Sequence, residues 1–139
     1  ANKLQEDLKK LGGVWVIGGN VFVLRQAMYL SGFDKLIKAM PDDFVYAGYS
    51  AGPCVLSQNL KAYEIVDDGT NTPYKELNRV ILDGLGIIDF VFLPHFKSDH
   101  PESEDIDKEV EYCKKNNIKY KTLKDGEVII SESPCHPQD

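Results

Sequence analysis

Three short apolar runs, each stopped by a glycine- or proline-bearing turn, constrain this chain more than any other feature. Val14-Trp15-Val16-Ile17 ends on Gly18-Gly19-Asn20, Phe44-Val45-Tyr46-Ala47-Gly48 ends on Tyr49-Ser50, and Gly86-Ile87-Ile88-Asp89-Phe90-Val91-Phe92-Leu93 ends on Pro94-His95. Continuous apolar runs of this kind suit strands covered on both faces. Between them the apolar period becomes helical. Leu4, Leu8 and Leu11 precede Gly12-Gly13, while Val21, Leu24 and Met28 lead to a second segment with Phe33, Leu36, Ile37 and Met40 before Pro41. Ala51 to Leu60 is helical in composition, with Pro53 tolerated in a first turn. Tyr63 to Arg79 is polar and turn-rich, a surface excursion.

A helix from about Glu104 to Lys115 leads to a strand over Ile118–Leu123, a hairpin-type turn at Lys124-Asp125-Gly126-Glu127, and a last strand at Val128-Ile129-Ile130. Strands alternating with helices predict an α/β fold, a mainly parallel sheet with helices on both faces. The 139 residues suit one domain, residues 1–139. That domain opens on a helix with no strand before it, and these strands alone make a small sheet. The expectation is therefore a piece of a longer protein that supplies further N-terminal strands.

Hydrophobic residues make up 42% of the chain and charged residues 27%, the balance of a folded globular domain. With 16 basic and 22 acidic residues the net charge is −6. The densest basic stretch, Lys114, Lys115, Lys119, Lys121 and Lys124, is interleaved with acids and reads as solvated surface, so no nucleic-acid partner is expected. No run approaches the roughly 20 apolar residues of a membrane span, and no apolar signal core is seen, which points to the cytoplasm and no membrane partner. Glu102, Glu104, Asp105, Asp107, Glu109 and Glu111 are expected on the first turns of an exposed helix. Cys54, Cys113 and Cys135 are odd in number and read as reduced thiols; with His95, His100 and His136 they show no ligand spacing, and no metal site is assigned.

Gly48-Tyr49-Ser50-Ala51-Gly52 fits the nucleophile-elbow pattern Gly-x-Ser-x-Gly. A serine on a sharp strand-to-helix turn has strained backbone and needs small neighbours, and the N–H of Ala51 could stabilise an oxyanion. Gly18-Gly19-Asn20 occupies the equivalent place after an earlier strand. It is either a source of a second oxyanion donor or an ordinary tight turn. It lacks the Gly-x-Gly-x-x-Gly spacing of a dinucleotide site. A serine hydroxyl needs a base, and His95 directly follows a strand whose C-terminal end would share one sheet edge with Ser50. His100 and His136 read as bystanders. An acid should orient the imidazole. Glu64, Asp67, Asp68, Glu76, Asp83 and Asp89 are open candidates, and Glu64 is attractive for its apolar neighbours Tyr63 and Ile65.

Ile17-Gly18-Gly19-Asn20-Val21-Phe22-Val23-Leu24, Gly48-Tyr49-Ser50-Ala51-Gly52 and Leu93-Pro94-His95-Phe96 occur in the order seen in peptidase E-like serine peptidases. The chain resembles that group, which includes cyanophycinases, over roughly residues 10 to 130. The resemblance implies a flavodoxin-like fold of the class I glutamine amidotransferase type, Ser50 as nucleophile and His95 as base. It implies Glu64 as the acid, with Asp67 and Asp68 as fallbacks, and an oxyanion hole from the N–H groups of Gly19 and Ala51. It implies hydrolysis of short peptides without a cofactor. Two departures stand out. The stretch Ser98 to Glu111 is acidic and carries no arginine where an aspartyl dipeptidase would use one. Without further N-terminal elements the sheet would have an uncovered edge, which either the missing sequence or a partner chain, such as a second copy in a homo-oligomer, would have to cover. An esterase with the same triad, or a non-catalytic remnant of the fold, are the competing expectations.

Overall fold

The computed structural model describes residues 2–132; Cys135 and His136 lie outside them. Helix α1 (Asn2–Lys9) buries Leu8, and Gly12-Gly13 releases the chain into strand β1 (Gly13–Val16). Asn20 caps α2 (Val21–Ser31), its Oδ1 accepting the N–H of Phe22 at 2.9 Å and of Val23 at 3.2 Å. This satisfies donors that have no partner within the helix. Gly32, at φ 77°, closes α2 in the left-handed conformation and starts α3 (Phe33–Lys38).

Strand β2 (Val45–Gly48) pairs in parallel with β1, from Gly13 opposite Val45 to Val16 opposite Gly48. The short helix α4 (Ala51–Cys54) follows, then a 3-10 helix (Lys61–Ile65), strand β3 (Val91–Leu93), helix α5 (Ser103–Lys115) and strand β4 (Tyr120–Thr122). Strands β3 and β4 are also parallel, with Val91 opposite Tyr120. Helix α4 touches β1, β2 and β3 and so ties the two strand pairs together. The core around it contains the fully buried Phe22, Val55, Leu60, Leu85, Leu93 and Cys113.

The α/β alternation and parallel pairing are as the sequence predicts, but four local expectations are corrected. The long apolar run from Gly86 forms a strand only over Val91–Leu93. Gly86 turns at φ 67°, and the N–H groups of Ile87 and Ile88 both donate to Leu56 O, at 2.9 and 3.1 Å. Those backbone groups serve a loop rather than a sheet. The same contacts end α4 early: Leu85 N–H donates to Val55 O at 2.8 Å, holding the segment after Cys54 in turns. Val128 and Ile130 are 80% and 92% exposed, and no strand forms there. Finally, β1 and β2 are covered on one face only. Val14 and Val16 meet the core, whereas Trp15, Ile17 and Val45 face solvent.

Candidate active site

The geometry of the elbow begins at the end of β1. A Cβ placed on Gly48 would lie 2.2 Å from Val16 O, and one on Gly52 would also lie 2.2 Å from it. Both glycines of the pattern are thus required by one carbonyl, which the turn wraps closely. Tyr49 N–H donates to that same oxygen at 3.3 Å. Between the glycines, Ser50 sits at φ 55°, ψ −123°, a region that L-residues rarely occupy. Its side chain lies against the Gly18 turn, where a Cβ would come within 3.1 Å of Oγ. The Gly18-Gly19 turn therefore does more than connect β1 to α2: it leaves room for the serine.

That turn is fixed from the far side by the loop after the 3-10 helix. Asp67 Oδ2 accepts the Val21 N–H at 2.8 Å, and Asn20 Nδ2 donates to Asp68 O at 3.1 Å. Asp68 also accepts from Thr70. These two fallback acids hold backbone and do not reach His95. Glu64, the acid expected to orient His95, stands exposed with its stem against Gly69, and among the described residues makes no hydrogen bond to the histidine.

The carboxylate on His95 belongs to Asp125. His95 Nδ1 and Asp125 Oδ1 are 2.8 Å apart, and this hydrogen bond holds the Asp125 carboxyl below its usual range. The contact follows from the parallel pairing. Leu123 N–H donates to Leu93 O, and Phe96 N–H to Leu123 O, both at 3.0 Å, so the chain leaves β3 and β4 side by side at the same edge. His95 itself sits at φ 62° with its side chain 15% exposed. Its Nε2 is buried and has no partner among the described residues. Among the described residues no hydrogen bond joins Ser50 Oγ to it.

His100 is no remote bystander. Its ring stacks on that of His95 with centroids 3.7 Å apart and planes at 11°. Its Nδ1 accepts the Glu102 N–H at 3.2 Å, which puts the proton of the neutral ring on Nε2. His95, His100 and Glu102 offer ligand atoms within 4.8 Å of one another. A metal must lie in the plane of each imidazole it binds, and two near-parallel stacked rings send their lone pairs along separate lines, so the arrangement does not suit one ion.

A cavity of about 30 Å³ opens beside Ser50, lined by Gly19, Ala51, Asp67, Pro94, Glu102 and Glu109 among others. Glu109 corrects the expectation of a wholly exposed acidic helix. Ile106, Val110 and Cys113 form the inward stripe of α5, and Glu109 lies within it at 1% exposure. Burial, and then the carboxylates of Asp67, Glu102 and Asp105, push its carboxyl up to about 8. Relative to the unfolded value of 4.5, the folded chain holds an extra proton between those limits. Stability at this group should therefore fall as pH rises from about 5 to about 8. Glu109→Gln is expected to flatten that decline, so that thermal unfolding midpoints of variant and parent diverge in the variant's favour towards pH 8. Midpoints falling in parallel would exclude Glu109 as the source. Burial also pushes the Cys54 thiol up, which keeps it protonated and unreactive beneath the elbow.

The model of peptidase family S51 matches residues 1–133. An uncharacterized peptidase of Listeria monocytogenes is 37% identical over 97 residues, which cover 69% of this chain and 45% of the relative. An uncharacterized peptidase of Listeria innocua is 34% identical over 92 residues, 66% of this chain and 42% of the relative. The crystal structure of a Listeria monocytogenes protein provisionally named a peptidase E superimposes with a TM-score of 0.70 at 28% identity, covering 88% of this chain and 55% of that one. The chain thus spans about half the length of the relatives it matches. No helix among the described residues is long and apolar enough to cross a membrane.

Proposed function

This chain belongs to peptidase family S51, and on that footing we propose that it carries the nucleophilic centre of a serine peptidase acting on short peptides. Ser50 attacks the scissile carbonyl while His95 Nε2 takes its proton and returns it to the leaving amine. The N–H groups of Gly19 and Ala51 hold the developing oxyanion, and water then releases the acyl group. In this reading Asp125, rather than Glu64, holds the imidazole with its proton on Nδ1 and stabilises the imidazolium that forms.

The observation that carries the reading is the asymmetry of His95. One nitrogen is tied to a carboxylate and the other is buried and, among the described residues, unpaired, while a strained serine ends β2. A core histidine would have both nitrogens satisfied. A fluorophosphonate probe is expected to label the full-length protein at Ser50, located by mass spectrometry of the modified peptide, with loss of peptide hydrolysis in step. Labelling elsewhere, or hydrolysis that survives complete labelling, would overturn the assignment.

A further inference from the structure

The small cavity beside Ser50 has a character that acyl transfer does not require. Three carboxyl groups line it: Asp67 from the loop after the 3-10 helix, Glu102 at the start of α5, and Glu109 from within α5. Glu109 is 1% exposed, and its Oε2 has no hydrogen-bond partner among the described residues. A buried carboxyl oxygen facing a cavity without a donor is a group waiting for one. Among the described residues no lysine or arginine pairs with any of the three, and the nearest basic group is His100, whose Nδ1 is 3.9 Å from Glu102 Oε2. The other polar groups around Glu109 are the carboxylate of Asp105 and the protonated side chains of Cys54, Tyr63 and Cys113, none of which carries positive charge.

We propose that this cavity is a subsite for an alkylammonium group of the substrate, received by Glu109, Asp67 and Glu102. The proposal rests on the reading of Ser50 as nucleophile. At about 30 Å³ the space suits one or two water-sized groups, enough for an ammonium with its three donors and too little for a guanidinium or a carboxylate-bearing side chain. Its position next to Ser50 admits two sources of the same chemistry. The α-ammonium of an N-terminal residue lies two bonds from the carbonyl carbon under attack, and a lysine ammonium could fold back to the same place. Either would be favoured over an acidic residue, which the Asp67 and Glu102 carboxylates repel. Entry of a cation should drive the proton off Glu109, so binding near neutral pH releases a proton.

The test is calorimetric titration of the full-length protein carrying Ser50→Ala, which reads binding without turnover. The ligands are alanyl-alanine against its N-acetyl form, and N-acetyl-lysyl-alanine against N-acetyl-norleucyl-alanine, at pH 7 in phosphate and in Tris. In at least one pair the charged member is expected to bind about tenfold tighter or better, the first pair marking the α-ammonium and the second the lysine side chain. Its heat should differ between the two buffers by the proton released. Adding Glu109→Gln should remove both the preference and the buffer dependence, and Glu102→Gln, at a half-buried position, should weaken the preference severalfold and serves where the first variant does not fold. Equal binding within both pairs, or a preference undiminished in the folded variants, would overturn the proposal. Peptide hydrolysis surviving in Ser50→Ala would instead remove the nucleophile while leaving the subsite measurement intact.

Discussion

Ser50→Ala is expected to lower kcat/KM for peptide hydrolysis by about 10⁴- to 10⁶-fold, the scale on which a triad nucleophile is lost. The residue has no substitute nearby. Cys54, one turn further on, is buried beneath the elbow with its Sγ directed to Phe92 O at 3.5 Å and its thiol pushed up by desolvation. Whatever rate remains would come from the oxyanion donors and from substrate binding. The substitution should leave the fold alone. Alanine takes up the same φ of 55° as serine, Ser50 Oγ makes no hydrogen bond among the described residues, and the close packing of Val16 O against Gly48 and Gly52 is untouched. A change in unfolding free energy below about 1 kcal/mol is therefore expected. Steady-state kinetics beside a denaturant titration separates the two effects. Full turnover in a folded Ser50→Ala protein would end the serine mechanism, whereas loss of both folding and turnover would contradict the packing described above.

The parts of this architecture that depend on nearest neighbours were legible in the sequence. Gly48 and Gly52 flank Ser50 because a carbonyl two strands' width away in sequence, Val16 O, comes too close for any side chain; the pattern announces this without showing its partner. Asn20 caps α2 from the position where a cap is expected. What could not be read was partnership between distant segments. The apolar run from Gly86 is strand-like by composition, yet the backbone of Ile87 and Ile88 is claimed by Leu56 O. Glu109 lies in an acidic series that looks solvated, and only the inward stripe of α5 shows that one member is buried. Along the chain the sequence points to an acid between Ser50 and His95, which leaves out Asp125, the carboxylate bonded to His95. A usable signal was present. Lys124-Asp125-Gly126 is the turn after a strand, and strands paired in parallel release their turns at the same end, here the end of β3 that carries His95.

Asp125→Asn should lower kcat by about 10² to 10⁴-fold with little change in KM, while Glu64→Gln should leave both within about twofold. The amide keeps the shape of the side chain but offers an N–H or a weaker acceptor to Nδ1, so the imidazole is no longer held with its proton there and its free lone pair on Nε2. The charged imidazolium formed during proton transfer also loses its counter-charge. Partial exposure of Asp125, at 54% against 15% for His95, lets water replace some of that interaction and favours the lower part of the range. Because His95 holds the Asp125 carboxyl below its usual value, the acid stays ionised as pH falls towards 4, and activity lost above that pH does not come from protonation of Asp125. A positional role confined to the loop would show as a rise in KM or a drop in stability, and the split between kcat and KM distinguishes it. If Glu64→Gln carried the larger loss of kcat, the histidine would have to abandon its 2.8 Å contact with Asp125 on binding substrate, and the acid assigned from that contact would be the wrong one.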